Sequence, residues 1–227
     1  MKKTVQNSLT LLVLTLLITA CGGIGGGNSV KIGALTWTAK NLNVSTFRNG
    51  DPILEVKTFD EWRKAILDKK PAFCDIDFKP ENGEKMGKLY NVFVIEDARG
   101  LAPEGWHIPS YEEWKTLKMI PLEELKSADG WGNADNPSCK GNNKSGFNAL
   151  PAGGISVLLP TDINYGRFKD QFTKSYGSGQ NFTNWWEVHD ASRGDFRAAY
   201  IQCDKVNAGA GEPDEVGLSV RCVKDIK

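Results

Sequence analysis

The stretch GLAPEGWHIPSYEEW, residues 100–114, decides how the chain is read. Pro103, Gly105 and Pro109 shape a turn, and Ser110 followed three residues later by Glu113 makes a capping box. The box opens a helix carrying Trp114, Leu117 and Ile120 at helical spacing. Pro109 stands just before the cap, where it breaks nothing, and Pro121 ends the helix. His107 titrates near neutral pH and looks chemical in this setting. The turn gives both neighbours a plainer role, with Trp106 packing and His107 hydrogen-bonding to backbone.

Upstream, Thr58 and Glu61 make another capping box. Its helix carries Phe59, Trp62, Ile66 and Leu67, and Pro71 ends it. Residues 30–43 read as a strand, with Ile32, Leu35, Trp37 and Leu42 apolar. Asn49-Gly50 and Asp51-Pro52 carry turn chemistry, residues 74–87 are polar and turn-rich, and residues 89–95 read as a second strand. From Ser127 onward short apolar pieces alternate with Gly, Asn, Asp and Ser, and residues 198–203 and 218–223 are the clearest strands. Two early helices followed by many short strands predict an α+β fold with a mixed sheet and a long irregular loop region.

The beginning of the chain sets the compartment. Lys2 and Lys3 precede an apolar run over residues 9–20. That run is about a dozen residues, short of the roughly 20 that span a bilayer. It ends in Ile18-Thr19-Ala20-Cys21, which resembles the lipobox of bacterial lipoproteins. The resemblance implies a signal peptide over residues 1–20 and a diacylglyceryl group, with palmitate-type acylation, on Cys21. At about 0.8 kcal/mol per buried methylene, two or three acyl chains anchor a protein durably, so the expected membrane contact is lipid and not a helix. Residues 21–29 form a glycine-rich tether. The tether lacks the acidic residues that resemble the surface-export signal of Bacteroidetes lipoproteins, which favours the periplasmic side of an outer membrane.

Residues 30–227 suffice for one domain with a sizeable core. Without Lys2 and Lys3 there are 26 basic and 28 acidic residues, with no basic cluster. Nucleic acid is therefore excluded as an expected partner. Four cysteines remain beyond Cys21, namely Cys74, Cys139, Cys203 and Cys222, and in an exported domain they predict two disulfides with three possible connectivities. They form no C-x-x-C pair, and the chain has two histidines, His107 and His189, so no metal site and no cofactor is expected.

Several stretches together resemble the Fibrobacter succinogenes major paralogous domain family. They are WTAKNLNVSTFRNGDPI (37–53), the helix around Glu61-Trp62, residues 71–74, NGEKMGKLYN (82–91), residues 100–114, SGFNALPAGG (145–154), Trp185-Trp186 and GLSVRCVKD (217–225). The resemblance implies a fold similar to C-type lectins and formylglycine-generating enzymes. It further implies that residues 30–35 lie near residues 218–223, and that the bridges are Cys74–Cys222 and Cys139–Cys203. Residues 155–182 and Glu187-Val188-His189-Asp190 depart from the family pattern.

Formylglycine-generating chemistry needs cysteines placed together, and nothing near Cys222 supplies a second. The iron-dependent relatives use three histidines. Glu212-Pro213-Asp214 superficially resembles a lectin calcium loop, but it follows Cys203 instead of preceding the paired tryptophans. The expected function is therefore non-catalytic binding of a glycan or protein through residues 127–215. A structural subunit of a cell-envelope assembly is the alternative, and an enzyme a distant third. Trp185 and Trp186, neighbours on a strand that point to opposite faces, and Trp131 between two glycines are the candidate aromatic platforms. Changing Cys21→Ser is expected to abolish palmitate labelling and to release or mislocalise the protein; unaltered labelling and membrane fractionation would rule the anchor out.

Overall fold

A computed structural model of the chain describes residues 29–132, 137–157, 174–176, 181–188, 196–212 and 215–226. In chain order, β1 (Ser29–Ile32) and β2 (Leu35–Thr38) are followed by β3 (Leu54–Glu55), α1 (Phe59–Leu67), β4 (Ala72–Asp75), α2 (Pro80–Met86), β5 (Lys88–Asn91) and α3 (Val92–Ile95). Then come β6 (Trp106–His107), α4 (Tyr111–Lys115), α5 (Leu122–Leu125), β7 (Gly154–Ser156) and β8 (Lys174–Tyr176). The chain closes with β9 (Phe182–Trp186), β10 (Phe196–Gln202), β11 (Val206–Glu212), β12 (Val216–Leu218) and β13 (Val223–Lys224). These form three sheets, in the orders β1-β2-β13-β6, β11-β10-β9 and β3-β4-β5-β12-β7-β8. The β3–β4 pair is parallel and β4–β5 antiparallel, so the fold is α+β with a mixed sheet.

Both helix starts follow their local chemistry. The Thr58 side chain accepts from Glu61 N at 3.2 Å, while the Glu61 carboxylate reaches back to the N–H of Lys57 and not of Thr58. Ser110 and Glu113 close a full reciprocal box. The helix behind that box is shorter than predicted, because α4 tightens into a 3₁₀ turn at Thr116–Met119. Pro121 then stands at the N-cap position of α5, without a side-chain cap bond. The strand expected over residues 30–43 is a hairpin, turned at Gly33 with φ of +60°. The strand expected over residues 89–95 stops at Asn91, whose side chain accepts from Val94 N and starts α3. The last strand does meet the N-terminal hairpin, but on its second arm and beyond the residues 30–35 expected: Val223 pairs with Trp37, and Thr38 and Leu42 donate to the Cys222 and Val220 carbonyls.

The six-stranded sheet separates two cores because successive residues face opposite ways. Phe73 and Tyr90 face one core with Trp186, Leu218, Val220 and Cys222. Cys74 and Leu89 face the other with Trp62, Ile66 and Ile155. This overturns the expected Cys74–Cys222 bridge: both are free, buried thiols, each in the core on its own side of the sheet. The bridge Cys139–Cys203 is present and closes a sequence separation of 64 residues, worth about 4 kcal/mol in the chain-entropy picture. Buried Lys126 donates to the carbonyls of both bridged cysteines, at 2.9 Å and 3.1 Å.

A third core holds Trp37, Trp114, Phe147 and Trp185 with Ile201 and Leu125. Trp114 stacks on Trp185 with ring centroids 5.3 Å apart, and Trp37 lies 4.9 Å from Trp114. Arg221, fully buried, lies over Phe147 at 4.5 Å. Its guanidinium donates to Asn41 Oδ1, to the carbonyls of Thr38 and Phe147 (each 2.7 Å), and to that of Asn148 at 3.1 Å. Burial pulls its pKa down to about 9, still far enough above neutrality to keep the charge.

The C-terminal segment is latched by His107. Its Nδ1 lies 2.7 Å from Asp225 Oδ1 and its Nε2 lies 2.9 Å from Glu113 Oε1. The ring is thus bonded to carboxylates, not to backbone as expected, while Trp106 packs as predicted. Partial burial works against the charged ring, but the bonds to Asp225 and Glu113 outweigh it and raise its pKa above the ordinary value. Burial pushes Glu113 up, and the Ser110 backbone and hydroxyl together with His107 overcome that and lower it.

Two expectations follow. Arg221→Met removes the donors that satisfy three buried acceptors and one part-buried acceptor and should cost about 3 kcal/mol or more in urea unfolding, with Arg221→Lys intermediate; a loss under about 1 kcal/mol would refute the role given to the guanidinium. The latch requires protonated His107 and ionised Glu113. Its contribution is complete below the unfolded histidine pKa of about 6.5 and fades as pH rises through the raised folded value. It also fades on acidification, as Glu113 falls through its lowered value. The stability difference between wild type and His107→Gln should therefore peak at about pH 5.5 and shrink above neutrality. Because the ring is 41% exposed, the difference should stay below ~1 kcal/mol; a difference that grew with pH would contradict the arrangement.

Candidate functional site

The three tryptophans expected to form a platform are buried. Trp131 is 4% exposed, Trp185 is fully enclosed and Trp186 is 1% exposed. Trp185 and Trp186 do point to opposite faces of β9, but each face is covered, Trp185 by the Arg221 core and Trp186 by the Tyr90 core. Their indole N–H groups donate to Asn41 Oδ1 at 2.8 Å and to the Tyr90 carbonyl at 2.7 Å. Trp131 donates to the Ala149 carbonyl at 2.7 Å, and the Lys126 ammonium lies 5.5 Å from its ring. These rings hold loops and sheets in place and offer no surface to a ligand.

What faces solvent instead is the next part of the same sheet. Beyond Trp186 and its partner Ala198, the β9–β10 ladder pairs Asn184 with Tyr200 and Phe182 with Gln202. Residues two apart share a face, so these four side chains follow Trp186 on one side of the sheet, all partly exposed. They line a cleft of ≈ 410 Å³, whose opposite wall is Gly154, Ile155 and Ser156 of β7 with Val216 and Leu218 of β12. A cleft of this size falls in the ~300–1,000 Å³ range of small-ligand sites. Among the described residues neither the Asn184 nor the Gln202 side-chain amide has a hydrogen-bond partner, while the Tyr200 hydroxyl accepts from Asn207 at 3.3 Å.

The cleft is held from behind. Gly153 N donates to the Phe182 carbonyl and Trp186 N to the Ser219 carbonyl, closing the outer edge of β9. Buried Glu187 accepts from Gly209 N and fixes β11 behind β10. Glu187, the first residue of the segment that departs from the family pattern, is therefore structural here. His189, Asp190, Pro213 and Asp214 lie outside the described residues.

Sequence reasoning missed Phe182, Asn184, Tyr200 and Gln202. The alternation in Ala198-Ala199-Tyr200-Ile201-Gln202 does separate Tyr200 and Gln202 from the core residues Ala199 and Ile201. What it does not supply is the register against β9, which sets the two amides and two aromatics together.

The thiols are poor nucleophiles. Burial pushes the Cys74 pKa well above its ordinary value and that of Cys222 up to about 12, so neither is a thiolate near neutrality. Among the described residues no group of three or more His, Cys, Asp or Glu side chains is placed to hold a metal ion, and no helix is long and apolar enough to cross a membrane.

No curated protein and no solved structure matches the chain. The Fibrobacter succinogenes major domain matches residues 30–224, which take in every sheet and all three cores described above. The quoted motifs supply Trp37, Asn41, Tyr90, Trp114, Phe147, Trp185 and Arg221, the residues that tie those cores together, and the chain belongs to the Fibrobacter succinogenes major domain family.

Proposed function

We propose that this is a lipid-anchored cell-envelope protein whose C-type-lectin-like domain binds a glycan or protein ligand without catalysing a reaction. The observation that carries the reading is the cleft between β7–β12 and β9–β10. It combines a partly exposed Tyr200 and Phe182 with two amides that have no partner among the described residues, on a face braced by a disulfide and by buried indoles. Sites of this kind fix a ligand with apolar walls and a few polar groups. Support for the lectin-like comparison comes from the pairing of the first hairpin with the last strand. The lipobox-like end of the apolar run supports an envelope location, and a tether without acidic residues favours the periplasmic side of an outer membrane.

The test is co-sedimentation of the full chain, in detergent, with washed cell-envelope material of its own bacterium. Tyr200→Ala and Asn184→Leu are expected to weaken retention at least tenfold, in line with ~1.4 kcal/mol or more for truncating a central contact. Both variants must keep the wild-type unfolding transition. EDTA should leave binding unchanged. Retention equal to wild type in both folded variants would remove the cleft from consideration, and loss with EDTA would overturn the metal-free reading.

A further inference from the structure

We infer that the cleft selects a neutral, hydroxyl-rich saccharide over peptides and over charged polymers; this rests on the cleft being the binding site. Three features of the lining lead there.

First, charge is missing. The described lining consists of Gly154, Ile155, Ser156, Val216 and Leu218 on one wall and Phe182, Asn184, Tyr200 and Gln202 on the other. None of these side chains carries a charge; the Lys205 ammonium lies outside the lining, over the Tyr200 ring at 5.6 Å. A charged ligand between the walls would lose hydration without gaining an ion-pair partner from the lining itself.

Second, the backbone is spent. A peptide strand is commonly captured by adding to an open sheet edge. Here β10 lies between β9 and β11, and β12 lies between β5 and β7. The outer edge of β9 is closed by Gly153 and Ser219. Recognition must therefore come from side chains.

Third, the side chains that remain are of two kinds, arranged alternately. Phe182 faces Gln202 across the ladder and Asn184 faces Tyr200, so the two rings occupy one diagonal of a square and the two amides the other. Diagonal neighbours on an antiparallel pair lie about 7–8 Å apart. Each ring thus has an amide directly opposite it and another next to it along the strand. A sugar ring has apolar C–H faces and hydroxyl edges that both donate and accept. An amide also does both, and it lies beside an aromatic surface at each position. The Val216 and Leu218 side chains offer apolar cover on the far wall, while the Ile155 side chain faces the Trp62 core on the other side of that sheet.

The experiment titrates the full chain in detergent with a panel of neutral disaccharides and trisaccharides (gluco-, manno-, galacto- and xylo-configured), with oligogalacturonate and chitosan oligomers as charged members, and with a random peptide pool. Wild type is expected to bind one or more neutral members saturably, with affinity unchanged between low and high salt, as befits contacts without ion pairs. Tyr200→Ala and Asn184→Leu should each weaken that binding tenfold or more, and Tyr200→Phe, which keeps the ring, by less. Binding confined to a charged saccharide or to peptides, and weakened by the same variants, would overturn the neutral-sugar assignment while leaving the cleft as the site. Neutral-sugar binding unaffected by either folded variant would overturn the cleft itself. Failure of every neutral member to bind also counts against the inference.

Discussion

The domain depends on satisfying a buried guanidinium that has no counter-ion among the described residues. Burial dominates what acts on Arg221, and no described carboxylate contributes. An unpaired buried cation is among the most expensive things a fold can contain. The cost is offset by four hydrogen bonds to oxygens at Thr38, Asn41, Phe147 and Asn148, and by the faces of Phe147 and Trp185. Charge-assisted bonds are the stronger kind, about 1.5–3 kcal/mol each. Those acceptors belong to the end of β2 with the segment just after it and to the loop before β7, so the arginine is satisfied only when two distant parts of the chain have come to it. Lysine, a point charge without the planar fork, cannot meet the same set of acceptors.

Asn41 extends the arrangement. Its oxygen accepts from Arg221 and Trp185, and its nitrogen donates to the Met86 carbonyl and the Ser219 hydroxyl. One side chain thereby links the last strand region, β9 and the end of α2. The approach is close enough that Gly87 has no space for a side chain: a Cβ there would lie 2.6 Å from that of Asn41. The motifs WTAKNLN, NGEKMGKLYN and GLSVRCVKD therefore mark the parts of one buried polar junction, although they are far apart in sequence. This explains why they identify the family while saying little about the ligand.

The features legible in the sequence were those set within a few residues. Thr58 and Ser110 start helices because their hydroxyls reach N–H groups three residues on, and this needs no knowledge of the rest of the fold. The α+β class and the approach of the first hairpin to the last strand were legible too, the latter through the family motifs. Cysteine pairing was half legible. Cys139 and Cys203 meet, but Cys74 and Cys222 are kept apart by a one-residue parity: Cys74 points away from the face that Tyr90 and Cys222 share. The tryptophans show the same limit from the other direction. Alternation correctly sends Trp185 and Trp186 to opposite faces, yet exposure depends on what covers each face, and both faces of β9 are covered at that end of the strand.

Cover ends partway along β9, and this is where scaffold gives way to site. At Trp186 and Ala198 the sheet face packs on the Tyr90 core; two residues further along each strand, at Asn184 and Tyr200, the same face lines the cleft. The back of those strands is the Arg221 core, with Thr183, Trp185, Ala199 and Ile201 all buried. Residues on the cleft face can therefore change with little effect on the packing behind them, because alternation separates the two roles along a single strand. The bridge Cys139–Cys203 attaches one residue past Gln202, the last cleft residue of β10, and Lys126 clamps the carbonyls of both cysteines. A binding face needs side chains whose positions are fixed before the ligand arrives. Here the fixing comes from a covalent link and a buried ammonium at one end of β10, and from the indoles of Trp185 and Trp186 at the other end of its partner strand.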